Sequence, residues 1–285
     1  MKLFIVDAFA NNIFEGNQAG VILFENDENF PERNIMKNIA AELKHSETAF
    51  VKPLNDGKTF EIKFFTPNKE VELCGHATIS VFVVLRNNNI ITKGEYTAKT
   101  LAGNLKVRVE SEIIWLQMSK GKVIKELTNE ETEEIYNAYG LNICDKDVKI
   151  PCVVSNTGLS DILLPVRSRE ILNNANQNRE KVIEISKKHN VAGIFMFSMS
   201  NNLELTAYTR SFAPLYGIDE ECATGTATGA LTYYLWKIKL IDNKIHKFIQ
   251  GKATNRTSHI LSRIYNDDIY IGGNGVISIC GNIKV

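Results

Sequence analysis

The sequence predicts an α/β protein built as two pseudo-symmetric lobes. Three observations carry this: a length of 285 residues, an order of elements that runs twice, and short residue strings that recur with it. A chain of this length exceeds the usual single compact domain of roughly 100 to 200 residues. Its 44% hydrophobic content supplies enough apolar side chains for two cores. In the first half, strands are predicted near Leu3 to Asp7 and Ala19 to Phe24, followed by a helix with Ile35, Ile39 and Leu43 on one face. Strands Thr48 to Val51 and Phe60 to Phe65, an apolar helix from Gly75 to Leu85 and hairpins through Leu116 complete it. The second half repeats this order: strands Cys152 to Val154 and Ile162 to Pro165, a helix Glu180 to Lys188, strands Gly193 to Phe197 and Leu203 to Thr209, and a helix Gly225 to Trp236. The first lobe is predicted to span 1–120 and the second 121–285, joined near Lys120 to Glu126, with the final strand, 275–285, allowed to return to the first lobe. The substrate cleft is expected between them.

The repeat extends to residues. Phe65-Thr66-Pro67 is followed eight residues later by Gly75-His76-Ala77-Thr78, and Phe212-Ala213-Pro214 eleven later by Gly225-Thr226-Ala227-Thr228. In each lobe a Pro closes a strand and a Gly opens an apolar helix, so unpaired backbone N–H groups collect at a helix start. Such groups bind anions. A pair of them suits a small carboxylate or a developing enolate.

Composition narrows the partners. Lys plus Arg and Asp plus Glu each count 33, giving a formal net charge of zero and no global field toward nucleic acid or an anionic membrane. A small-molecule carboxylate substrate is therefore expected, with no nucleic acid, no membrane, and a homodimer as the assembly allowed for. The opening Met-Lys-Leu-Phe-Ile-Val-Asp lacks the basic start and long apolar run of a signal peptide. Five scattered cysteines without a C-x-x-C pair argue against a disulfide framework or structural zinc, so a cytoplasmic location is expected.

Departures from the repeat point to chemistry, because a structural role should recur in both lobes. Aligning Lys44-His45 with Lys188-His189 sets Glu47 opposite Val191. A carboxyl entering the apolar strand Thr-Ala-Phe-Val suits acid/base work. His76 is matched by Thr226; an imidazole at a helix start can hydrogen-bond or relay a proton. Glu220 and Glu221 precede the second helix start, where a catalytic role, with Glu221 as the candidate, and simple complementing of the helix dipole are both open.

The strings Val6-Asp7-Ala8-Phe9, Gly16-Asn17-Gln18-Ala19-Gly20-Val21, Ser46-Glu47-Thr48-Ala49-Phe50, Cys74-Gly75-His76-Ala77-Thr78 and Arg210-Ser211-Phe212-Ala213-Pro214 stand in one order along the chain. They lead into Gly217-Ile218-Asp219-Glu220-Glu221-Cys222-Ala223-Thr224-Gly225-Thr226-Ala227. With these the sequence resembles the PhzF-like family of phenazine biosynthesis, whose relatives share the diaminopimelate epimerase fold. The resemblance implies a bent, barrel-like sheet around a central helix in each lobe, and a cofactor-independent isomerase that needs no metal. It implies that Glu47 is the catalytic glutamate and His76 the active-site histidine, with Ser46, Gly75, Gly225 and Thr226 binding substrate. The family's usual Glu-Asp-Pro-Ala-Thr-Gly-Ser reads here Glu220-Glu221-Cys222-Ala223-Thr224-Gly225-Thr226, so its active-site aspartate is replaced by Glu221. Two alternatives remain: a non-catalytic small-molecule-binding paralogue, and a cysteine-dependent epimerase or racemase using Cys74. The second needs a thiol on each face of one carbon, and Thr224 stands where the second thiol would fall. Cys74 is therefore expected to be a packing residue.

Overall fold

In the computed structural model, which describes residues 1–284, two compact units emerge: Met1–Gln117 with the segment from Gly272 onward, and Met118–Ile271. The first unit contains β1 (Lys2–Ala8), β2 (Asn17–Leu23), α1 (Arg33–Leu43), β3 (Glu47–Pro53), β4 (Thr59–Phe65), β5 (Glu70–Val71), α2 (Gly75–Asn87), β6 (Gly94–Thr100), β7 (Gly103–Glu110) and β8 (Ile113–Gln117). The second contains β9 (Lys122–Glu126), α3 (Asn129–Ala138), β10 (Val153–Asn156), β11 (Ser160–Pro165), α4 (Arg169–Asn174), α5 (Arg179–His189), β12 (Gly193–Met199) and β13 (Ala207–Ala213). It continues through β14 (Ile218–Glu221), α6 (Gly225–Lys237), β15 (His246–Gln250) and β16 (Ser258–Tyr265). The chain returns to the first unit within β17 (Asp268–Gly273) and ends with β18 (Gly275–Asn282), antiparallel to β1.

Strand pairing repeats as the element order does. In the first unit β1 and β2 are antiparallel, β2 and β3 parallel through the α1 crossover, β3 and β4 antiparallel, β4 and β6 parallel, and β6 and β7 antiparallel. In the second, β10–β11, β11–β12, β12–β13, β13–β15 and β15–β16 follow the same sequence of directions. The strands of each unit carry an inner helix, α2 or α6, on one face and an outer helix, α1 or α5, on the other, with α4 beside α5 in the second. The outer helix is amphipathic: Met36, Ile39 and Ala40 of α1 pack on Ile22, Phe50 and Phe65, and Val182 and Ile185 of α5 lie with Ile162, Leu164, Ile194 and Met196. The inner helix has no polar face. Every residue of α2 from His76 to Leu85 is buried, against β1, β2, β3, β8 and β18.

Three details differ from the sequence expectation. The stretch expected to join the lobes, near Lys120 to Glu126, contains strand β9, antiparallel to β10 as β18 is to β1. The strand expected from Leu203 starts at Ala207, after a turn through Asn202. Helices α3 and α4 have no counterpart in the first unit, so the repeat does not predict them. α3 starts with a capping box in which Thr128 and Glu131 satisfy each other's backbone N–H groups.

Glu220 has a structural partner. Arg210 donates to both its carboxylate oxygens, at 2.9 and 2.7 Å, and to the Leu172 and Ala175 carbonyls at 2.9 and 2.7 Å at the end of α4. Arg210→Ala is expected to lower unfolding free energy by about 3 kcal/mol in urea titrations, since it strands a half-buried carboxylate. No helix among the described residues is long and apolar enough to cross a membrane.

Candidate active site

The alternation of β3 sets the direction of Glu47. Phe50 belongs to the α1 core, so Glu47 and Ala49 turn to the other face, toward α2. There the Glu47 Oε2 lies 3.3 Å from His76 Nε2. The two are close enough to attract but lack hydrogen-bond alignment, and Oε2, although buried, has no hydrogen-bond partner. The Glu47 side chain is 17% exposed and that of His76 7%. Ser46 Oγ stands 3.4 Å from His76 Nε2, and Asn17 Nδ2 3.4 Å from His76 Nδ1. Cys74 Sγ is 3.5 Å from Nδ1.

Helix starts supply the second component. Cys74 is the N-cap of α2 and Thr224 that of α6, and neither caps its helix with a side-chain hydrogen bond. A Cβ on Gly75 would meet nothing within 4 Å, so the backbone at this start is accessible to a ligand. Thr224 is held instead by Gln250, which donates to its hydroxyl at 3.1 Å and to the Glu221 carbonyl at 2.9 Å while accepting from the Thr224 N–H at 3.2 Å. Gln250 is buried and fixes the loop that carries Glu221 into α6.

The predicted residues thus form two groups, one in each unit. Ser46, Glu47, Gly75 and His76 converge at the start of α2. Glu221, Gly225 and Thr226 surround the start of α6, where Thr157 donates to the Thr226 carbonyl at 2.7 Å. Glu221 lies opposite Ser211 in the β13–β14 pair. Cys222 accepts from the Thr254 hydroxyl at 3.3 Å, and burial pushes its thiol pKa up. This environment does not favour the thiolate that a cysteine epimerase needs.

The alignment of Glu47 with Val191 is corrected by the helix ends. α1 closes on Lys44 and α5 on Asn190, both in the left-handed conformation. Three residues beyond each, β3 opens at Glu47 and β12 at Gly193, so Glu47 corresponds to Gly193. A Cβ at Gly193 would run into the Phe212 carbonyl. The carboxyl of this region in the second unit comes from the neighbouring strand: Asp161 pairs with Gly193 as Ala19 pairs with Glu47. Asp161 also lies opposite Ser155, whose hydroxyl donates to the Ala230 carbonyl of α6, so it projects toward that helix. Burial raises the Asp161 carboxyl to about 7, opposed by a hydrogen bond from the Gly193 backbone. Sequence reading missed Asp161, Gln250 and the contact of Asn17. Asn17 stands in the string Gly16 to Val21 and Gln250 lies beyond the last string; Asp161 follows the turn Asn156-Thr157-Gly158, which only the fold brings against Thr226.

An acid, an imidazole and an uncapped helix start thus gather beside the inner helix of the first unit of a doubled α/β fold. A family model described as phenazine biosynthesis-like protein matches residues 6–281, and the chain belongs to this PhzC-PhzF family. It is 32% identical to an uncharacterised isomerase of Clostridium acetobutylicum, over 97% of this chain and 95% of that one. The fold matches the PhzF-family phenazine biosynthesis protein of Bacillus anthracis with a TM-score of 0.87 at 24% identity, covering 100% of this chain and 99% of the other. It also matches a probable proline racemase of Agrobacterium radiobacter with a TM-score of 0.63 at 10% identity, covering 100% and 93%.

Proposed function

We propose that this protein is a cofactor-independent isomerase that moves a proton between carbons of a small carboxylate-bearing substrate, with Glu47 removing and redelivering it. The observation that carries the reading is the Glu47 carboxyl itself, whose buried Oε2 lies 3.3 Å from His76 Nε2 at an uncapped helix start without a hydrogen-bond partner. A carboxylate that gains nothing from a structural hydrogen bond at that oxygen is available to a substrate proton. His76 and Ser46 orient the substrate and polarise it. The N–H groups at Gly75 and Gly225 disperse carboxylate or enolate charge, Thr226 binds substrate at the start of α6, and Glu221 joins His76 in positioning or polarising it. The isomerase names of relatives support the same class of reaction.

The test is a screen of small cyclic and amino carboxylates for solvent deuterium incorporation catalysed by the protein. Exchange above the blank for at least one compound is the expected outcome. Binding without exchange across the screen would instead favour a non-catalytic binder. Cys74→Ser is expected to retain most of the exchange rate, since the second-unit start has Thr224 where an opposing thiol would be needed. A loss of several orders of magnitude in turnover would restore the cysteine mechanism.

A further inference from the structure

Glu47, Cys74 and His76 each bring one ligand atom within 4.8 Å of the other two. Oε2 of Glu47 is 3.3 Å from His76 Nε2, and Cys74 Sγ is 3.9 Å from the same nitrogen. Bonds of about 2.3 Å to sulfur and about 2.0 to 2.1 Å to nitrogen and oxygen, at tetrahedral angles, set neighbouring ligand atoms about 3.3 to 3.6 Å apart. The nitrogen–oxygen separation already fits, the sulfur needs to approach the nitrogen by a few tenths of an ångström, and a rotation of the Cys74 side chain closes it on the carboxylate from within 4.8 Å. Proton transfer uses the carboxyl and the imidazole but gives the thiol no task. A thiolate, an imidazole and a carboxylate together select a borderline-soft cation of the zinc type over magnesium or calcium, which prefer oxygen alone.

The surroundings fit a ligating histidine. Asn17 stands at Nδ1, on the other side of the ring from the Nε2 that faces Glu47. Amide oxygen and nitrogen exchange places by a half-turn, and with its oxygen toward the ring Asn17 accepts the Nδ1 proton and leaves the Nε2 lone pair for a metal. Cys74 and His76 are 8% and 7% exposed, which shields the bond to sulfur from water. Three protein ligands leave a fourth position to water, as in open zinc sites.

We propose that Glu47, Cys74 and His76 form a binding site for a zinc-type divalent cation, and that its occupation switches off proton transfer by engaging the Glu47 carboxylate. The second clause rests on the proposed isomerase function; the first does not. Binding forms the metal–sulfur bond as the thiol proton leaves to solvent, with no change of oxidation state.

The experiment uses the full chain with Co²⁺ as a spectroscopic probe and Zn²⁺ as competitor. One equivalent of Co²⁺ is expected to give a thiolate-to-cobalt charge-transfer band, bleached by Zn²⁺ and absent in Cys74→Ser. The band should persist when the exposed Cys144 and Cys280 are changed to Ser. Asn17→Ala is expected to weaken Zn²⁺ about 10- to 100-fold. Zn²⁺ should abolish deuterium exchange in the wild type and leave Cys74→Ser active. A spectrum unchanged by Cys74→Ser, or no thiolate band at one equivalent, overturns the site. A thiolate band with exchange undiminished by Zn²⁺ overturns the switch alone. If no compound exchanges, the isomerase reading and the switch fall together, and the cobalt spectrum still decides the site.

Discussion

Glu47→Gln is expected to lower substrate proton exchange by about 100-fold or more while leaving fold and ligand binding intact. The amide keeps the length and most of the shape of the carboxyl, so the packing of β3 against α2 is undisturbed. It removes the one property the reaction needs, an oxygen that can take up a proton and release it. The effect should be large because Oε2 has no hydrogen-bond partner in the fold, so its loss is not cushioned by a rearranged structural contact. Far-ultraviolet circular dichroism and ligand titration check the fold, and deuterium incorporation measures the chemistry. A Glu47→Gln protein exchanging at nearly the wild-type rate would place the base elsewhere, with His76 and Glu221 the next to be changed.

Asp161→Asn is expected to stabilise the protein at pH 8, and to flatten its stability between about pH 4 and pH 7. The Asp161 carboxyl is buried, which raises its folded value from 3.8 to about 7, while in the unfolded chain it ionises near 3.8. The folded state therefore holds the proton through a window in which the unfolded state has lost it. The contribution of this group is whole below about pH 4, shrinks as pH rises toward 7, and is gone above it. A shift of about three units corresponds to roughly 4 kcal/mol, taken as an order of magnitude. An asparagine keeps a hydrogen-bonding group against the Gly193 backbone without the ionisation, so the dependence should vanish with the carboxyl. Urea unfolding at several pH values measures both proteins. Parallel stability curves for wild type and Asp161→Asn would show that Asp161 ionises alike in the folded and unfolded chains.

Much of this molecule was legible because it is local. The period of Ile35, Ile39 and Leu43 marks α1, the unbroken apolar run after Gly75 marks an inner helix, and Phe-x-Pro strings close β4 and β13. Such signals need only neighbouring residues, and they recur in both halves. The strings around Glu47, His76 and Gly225 likewise give the family and the candidate residues without a structure. The capping box of Thr128 and Glu131 is a further local signal, which announces α3 although the first half has no counterpart to it.

The register between the halves depends on where each outer helix stops. α5 continues to His189 while α1 stops at Leu43, so the Lys-His pairs are not equivalent, and Glu47 answers to Gly193. Backbone conformation at Lys44 and Asn190 decides this, and residue identity does not reveal it. Asp161 reads in the sequence as a polar residue beside a turn. Its burial against α6 is a product of strand pairing with Ser155 and Gly193, contacts made across the fold. The sequence by itself determined the doubled α/β plan and the residues capable of chemistry, since periodicity and motif are properties of short segments. The tertiary structure alone decided which of them meet: Glu47, Cys74, His76 and Asn17 lie on separate stretches from 17 to 76, brought within hydrogen-bonding range because β2, β3 and the start of α2 pack together.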